Sequence, residues 1–340
     1  MIYLLMNALQ QKPKAVGLIS GGLDSTLAAK LVKDCGVDVM GVYFAMPWGC
    51  GSASSATRMM KAIDVPLKIM QLDEDYLDIV RKPNHGYGSA LNPCVDCKIY
   101  MIKKAREYMD SLGADFLFTG EVLGQRPMSQ LKHSLQCIEK QAQLKRKLLR
   151  PLCAQLLPPT EVEENGLIDR NKLLGLNGRG RKPQIQMAKD YGILDFVQPA
   201  GGCLLTDKNF SNRMIDAFTY GFRNFEETIA LQWGRHFRIN DEFKAIIGRD
   251  EKENDSLMEY AHADDHIIQP KDTFGPTCIL KGYNPSKEMF NLCGGLIQHF
   301  SKNRGKEPVE MLVWPAKDPK QTTTITAVIL DEAKIDEIKI

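Results

Sequence analysis

Ala15-Val16-Gly17-Leu18-Ile19-Ser20-Gly21-Gly22-Leu23-Asp24-Ser25-Thr26-Leu27 decides how the first half of this chain folds. The first five residues are an apolar run with the length of a buried strand. The segment Thr26-Leu27-Ala28-Ala29-Lys30-Leu31-Val32 has the pattern of a helix's first turns. Two adjacent glycines between them let the main chain approach an anion with no Cβ in the way. Strand, glycine turn and helix start together aim backbone N–H groups at one point, where the helix dipole favours negative charge. Ser25 and Thr26 add hydroxyl donors. A plainer reading makes the turn structural, with Asp24 and Ser25 as helix caps.

What the stretch lacks narrows its chemistry. A Walker loop needs a lysine directly after its last glycine, and none follows Gly22 until Lys30. The dinucleotide pattern G-x-G-x-x-G is missing as well. Further runs extend the alternation. Val37 to Phe44, Pro66 to Leu72 and Asp115 to Gly120 read as strands, with helices near 24–35, up to Ile63 and near 98–112. Strands alternating with helices predict an α/β fold, a doubly wound parallel sheet with helices on both faces. Ligands bind such sheets at the carboxyl ends of strands, where Ser20, Tyr43 and Gly120 fall.

At 340 residues the chain has room for two domains. We place the first at 1–222 and a smaller α+β domain at 223–340. A net charge of +2 favours no class of partner. Basic residues do cluster at Lys140, Lys145, Arg146, Lys147 and Arg150, then at Arg170, Lys172, Arg179, Arg181 and Lys182. They read either as a solvated face or as contacts to RNA phosphates. Met1 to Met6 is apolar but has no basic flank or cleavage site, and no run approaches a membrane span. The expected location is cytoplasmic.

Nine cysteines in such a chain point to metal, redox or core roles before structural disulfides. Asn92-Pro93-Cys94-Val95-Asp96-Cys97-Lys98 sets a C-x-x-C at the start of a helix, so both thiolates can converge on one centre. Cys203 follows two glycines in Pro199-Ala200-Gly201-Gly202-Cys203 and is the third candidate. Three sulfurs are one too few for a closed zinc site but suit a cluster with one iron left open. The alternatives are a redox pair, a zinc site completed by Cys203 with Cys50 or His85, and a metal-free persulfide pair. Cys35, Cys137, Cys153, Cys278 and Cys293 read as core thiols.

These residues carry a resemblance. Ser20 to Ser25 resembles the SGGxDS loop of the PP-loop ATP pyrophosphatase superfamily, of adenine nucleotide alpha hydrolase-like fold. With Asn92 to Cys97 and Gly113 to Gly120, the order is similar to that in tRNA thiouridylases, both the 2-thiouridylase group and the ThiI-type 4-thiouridine synthases. Ile247-Gly248-Arg249-Asp250-Glu251-Lys252-Glu253-Asn254-Asp255 resembles the NFACT-R (DUF814-type) RNA-binding module. The chain departs from the 2-thiouridylases where they continue Thr-Gly with histidine; here Glu121 follows.

The resemblance implies ATP-dependent tRNA sulfur insertion. ATP and Mg²⁺ would use Ser20, Gly21, Gly22, Asp24, Ser25 and Gly120, with adenine near Tyr43 and Phe44. A uridine carbonyl oxygen would be adenylated and pyrophosphate released. A [4Fe-4S] cluster on Cys94, Cys97 and Cys203 would take part in sulfur delivery, making these cysteines and Asp24 the catalytic set. The implied partners are tRNA, a sulfur donor (sulfide or a persulfide carrier) and a second copy in a homodimer, with no membrane. The rival readings are a PP-loop ligase or amidase holding zinc, and an RNA quality-control factor with a vestigial nucleotide loop.

Overall fold

The computed structural model describes residues 12–49, 51–196, 202–222, 225–302, 304 and 308–340. The chain divides into two compact units, Met1–Thr206 and Asp207–Ile340.

The first unit runs β1 (Lys14–Leu18), α1 (Leu23–Asp34), β2 (Asp38–Ala45), α2 (Ala53–Ala62), β3 (Leu67–Gln71), α3 (Asp75–Arg81), α4 (Cys94–Ser111), β4 (Phe116–Thr119), α5 (Lys132–Gln141), β5 (Leu148–Leu149), α6 (Glu161–Glu164) and α7 (Lys182–Asp190). Its five strands pair in the order β3-β2-β1-β4-β5, every pair parallel. Val16, Leu117 and Phe118 are completely buried, which is why the central strands read as continuous apolar runs. Gly17 lies opposite Phe118 in the β1/β4 register, and a Cβ on it would run into the Phe118 ring. The strand order reverses between β1 and β4, so the crevice at their carboxyl ends is where such sheets take ligands. The glycine loop leaves β1 there, and Gly120 leaves β4 beside it.

The second unit begins with α8 (Lys208–Tyr220), then β6 (Arg235–Arg238), β7 (Lys244–Ile247), α9 (Glu251–Glu259), β8 (His266–Pro270), β9 (Cys278–Lys281), α10 (Lys287–Phe300), β10 (Glu310–Pro315), β11 (Thr323–Thr326) and α11 (Glu332–Ile338). The strands form an antiparallel sheet ordered β11-β10-β8-β9-β7-β6. Period-two alternation sorts its faces. Ala245, Ile247, Ile268, Cys278 and Leu280 join the core that includes Cys293, Leu296 and Ile297 of α10. Ile246, Ile267 and Ile279 pack with Leu257 of α9 on the other face.

The units part between Thr206 and Asp207, sixteen residues before the boundary read from sequence. The reason is Asp216 of α8. Its two carboxylate oxygens accept from Arg238 Nε and Nη2 at 2.8 and 2.7 Å, and one also accepts from Lys244 Nζ at 2.7 Å. Burial brings Lys244 down to about 8 in pKa, against the opposing pull of Asp216. No helix among the described residues is long and apolar enough to cross a membrane. Replacing Asp216 by alanine would strand these two cations and should destabilise the second unit by about 3–5 kcal/mol. Urea titration followed by Trp233 and Trp314 fluorescence measures it, and unchanged stability would contradict the assignment.

Candidate functional site

The glycine loop is held by its own hydroxyls. Ser25 Oγ donates to Gly22 O at 2.9 Å and accepts from the Ser20 backbone N–H at 3.2 Å. Gly21 has φ +75°, a left-handed conformation that needs glycine, and Ser55 Oγ of α2 donates to its carbonyl at 3.0 Å. A Cβ at Gly120 would sit 2.5 Å from the Ser25 backbone, so that glycine lets β4 close against the start of α1. The N-cap of α1 is Gly22, without a side-chain cap bond, so Asp24 is not spent on capping.

Asp24 Oδ2 instead accepts from Gln125 Nε2 at 2.7 Å and Arg181 Nη2 at 2.6 Å, and Gln184 Nε2 holds Gln125 Oε1 at 3.0 Å. The second Asp24 oxygen is buried without a hydrogen-bond partner, as is Arg181 Nε. A buried unpaired anionic oxygen beside a buried unpaired guanidinium N–H is the donor set that Mg²⁺ and a phosphate would complete. Sequence reasoning missed Gln125 and Gln184 and counted Arg181 only within a basic cluster. Tyr43 belongs to the hydrophobic core and Phe44 is buried beside it on β2, so both could form only a wall of the crevice.

Other members of the basic cluster are engaged within the fold. Arg170 is bound to Glu163 and donates to the carbonyls of Ala154 and Leu157, both at 2.8 Å. Arg146 pairs with Glu164. Arg150 is 1% exposed, donates to Glu121 Oε2 at 2.9 Å and pairs with Glu139. Glu121 also pairs with Lys98, which directly follows Cys97. Although burial works against its charge, Lys98 and Arg150 hold Glu121 at about 2 in pKa. Where the resemblance leads to a histidine, this chain places a buried ion-pair hub.

The structure gathers the three candidate cysteines around Tyr76 of α3. Its hydroxyl donates to Cys97 Sγ at 3.2 Å. Burial first, and then Cys97, Cys203 and Cys94, push the phenol well above its ordinary pKa. Cys203 is buried and donates to Trp48 O at 3.2 Å. Backbone bonds from Leu204 to Trp48 O and from Leu91 to Leu205 O hold its segment between the loop after β2 and the approach to α4. Soft sulfur donors of this kind suit iron or zinc. In the arrangement seen, no three His, Cys, Asp or Glu side chains among the described residues stand as a ready metal site. Cys50 lies outside the described residues.

His85, offered as a completing zinc ligand, is engaged with other residues in this structure: Asp96 Oδ1 is 2.8 Å from its Nδ1, and its Nε2 is 3.3 Å from Cys137 Sγ. Cys35 and Cys137, read as core thiols, are only partly buried. Cys153, Cys278 and Cys293 are buried as read. In the second unit, Asp250 caps α9 by accepting from Glu253 N at 2.9 Å, and Glu253 accepts from the Gly234 and Arg249 backbone N–H groups.

Two family models match the chain. Residues 10–155 match "Thiamine biosynthesis protein (ThiI)", and residues 234–337 match "NFACT protein RNA binding domain". Among curated proteins, the tRNA-specific 2-thiouridylase MnmA of Clostridium acetobutylicum is 33% identical over 132 residues, 32% of this chain and 35% of that protein. The MnmA of Clostridium perfringens is 31% identical over 130 residues, again 32% and 35% of the two chains. The chain thus spans about a third of the length of the curated relatives it matches. A solved 4-thiouridine synthetase–RNA complex with bound ATP is 21% identical, covering 54% of this chain and 52% of that one, with TM-score 0.35.

Glu121 carries a pH signature. Its folded pKa of about 2 lies below its ordinary 4.5, so its stabilisation is full above 4.5 and fades as pH falls toward 2. Glu121→Gln should therefore cost stability at neutral pH, and the gap to wild type should narrow between those limits. Chemical denaturation at several pH values tests this; a constant gap would refute the buried-hub reading.

Proposed function

We propose that this chain, which joins a ThiI-type segment to an NFACT-type RNA-binding segment, uses ATP to activate a uridine carbonyl in tRNA and replaces that oxygen with sulfur. One observation carries the reading most directly. A glycine loop with an unpaired buried Asp24 oxygen and three thiols around one phenol occupy the carboxyl edge of the same parallel sheet. The family matches are consistent with it.

The loop from Ser20 to Ser25 receives the pyrophosphate of ATP on backbone N–H groups. The second Asp24 oxygen would hold Mg²⁺, and Arg181 Nε would donate to a phosphate. The substrate oxygen attacks the α-phosphorus, pyrophosphate leaves, and a poor leaving group becomes AMP. Preorganised positive charge is the main catalytic contribution to phosphoryl transfer. The base leaves its stack to reach the crevice. Cys94, Cys97 and Cys203 would hold a [4Fe-4S] cluster, which when bound supplies an iron open to a sulfur ligand. Tyr76 keeps Cys97 oriented, and the Trp48 carbonyl keeps Cys203 in place. A zinc-holding ligase would keep the loop chemistry but leave tRNA unthiolated.

ATP–pyrophosphate exchange with and without tRNA tests the first half. Asp24→Ala should abolish exchange, and Arg181→Ala should lower it about 10²-fold, the scale of losing one preorganised charge contact. Iron and sulfide analysis after anaerobic purification tests the second half: Cys203→Ala should lose iron yet keep exchange. Nucleoside mass spectrometry of tRNA from a deletion strain decides the product; an unaltered thionucleoside profile would overturn the proposal.

A further inference from the structure

Cys137, His85 and Asp96 form a chain of contacts outside the set of residues discussed for ATP and the cluster. Asp96 is 6% exposed and uses both oxygens on one residue: Oδ2 accepts the His85 backbone N–H at 2.9 Å, and Oδ1 faces Nδ1 at 2.8 Å. This geometry suits a ring that donates from Nδ1 to the carboxylate and turns Nε2 outward. That nitrogen faces Cys137 Sγ at 3.3 Å. Tyr87 steadies the loop by donating to the carbonyls of Val80 and Arg81, both at 2.8 Å. A sulfur nucleophile, a base on it and a carboxylate orienting that base make up the arrangement of thiol-based group transfer.

We propose that Cys137 is a nucleophile that accepts sulfane sulfur from a persulfide carrier, with His85 as its base and Asp96 as a positioning residue. The choice of sulfane sulfur rests on the sulfur-insertion reading above, whereas the triad geometry does not. Two features favour that substrate class. Attack on an S–S bond needs a thiolate and access to the target sulfur; the His85 side chain is a quarter exposed and Cys137 partly so. Asp96 also lies inside the Cys94–Cys97 turn of α4, against which α5 packs, so the nucleophile stands next to the turn that carries two further thiols.

The step balances without an oxidant. His85 Nε2 takes the proton from Cys137 Sγ. The thiolate attacks the terminal sulfur of the carrier's R–S–SH, forming the Cys137 S–S bond while the carrier's S–S bond breaks. The departing R–S⁻ takes the proton back from His85. A thiol and a persulfide have exchanged places, with no net change in oxidation state.

The test uses the purified full chain and glutathione persulfide, without ATP or RNA, followed by alkylation and peptide mass spectrometry. We expect the extra sulfur on Cys137, and its rate of appearance to fall about 10²-fold in His85→Ala, the scale of losing a general base. Added imidazole should restore part of that rate, which a merely structural role for His85 would not allow. Asp96→Asn should slow labelling as well, because the ring loses the partner that fixes its tautomer. Labelling confined to Cys94, Cys97 or Cys203, or wild-type labelling of Cys137 in His85→Ala, would overturn the proposal. So would persulfide-driven tRNA thiolation at the wild-type rate in Cys137→Ser. A labelled Cys137 in a protein that never thiolates tRNA would sink the proposed function and leave this site standing.

Discussion

The first unit depends on one buried ionic hub. Glu121 leaves the end of β4 and meets Lys98 from α4 and Arg150 from the exit of β5, while Arg150 reaches on to Glu139 of α5. Neither Glu121 nor Arg150 could be buried alone, because an unpaired interior charge costs several kcal/mol. Together they tie two strands and two helices to one point. Lys98 follows Cys97, and Glu139 stands two residues past Cys137. The hub therefore sets where both thiol sites stand relative to the sheet, and exposed ion pairs such as Lys30–Asp34 add little to that.

From that frame the chemistry divides between two places. The loop after β1 collects groups suited to phosphate and a divalent cation: backbone N–H groups, one spare carboxylate oxygen and one spare guanidinium N–H. The first turn of α4 and the segment at Cys203 collect sulfur around the Tyr76 phenol of α3. Strand order explains how they come together. Helices of a parallel sheet return antiparallel to the strands, so the N-termini of α1 and α4 both open at the carboxyl edge. Residues 20–25 and 94–97, far apart in sequence, are thereby brought to the same edge.

Much of this was legible in the sequence, for physical reasons. Parallel strands buried on both faces leave apolar runs, so β1, β2 and β4 were read close to their observed limits, while β3, an edge strand with no fully buried residue, was legible from its own short run Leu67 to Leu72. β5 was not, because Leu148–Leu149 is too short for any periodicity and sits among lysines and arginines. Cys94 and Cys97 were legible because helical spacing is local. The Asp24–Arg181 contact joins residues 157 positions apart, and His85 meets Cys137 across 52. Such pairings are set by how helices settle on a sheet, and local patterns are blind to them. The NFACT-like stretch was read by resemblance, and the plainer reading of it as a turn that caps a helix also describes what Asp250 and Glu253 do.

Gly17 and Phe118 divide one volume between them, a ring on one strand filling the space that a methyl would need on the next. Neither position is then free to vary by itself. An alanine at 17 becomes admissible only in a chain whose residue 118 has given up its ring, and a bulky 118 confines 17 to glycine. Two residues beyond the ring, Gly120 makes the same concession to the backbone of Ser25. The spacing between the glycine loop and the neighbouring strand is thus written in atoms the chain leaves out, so an added methyl group would move the loop.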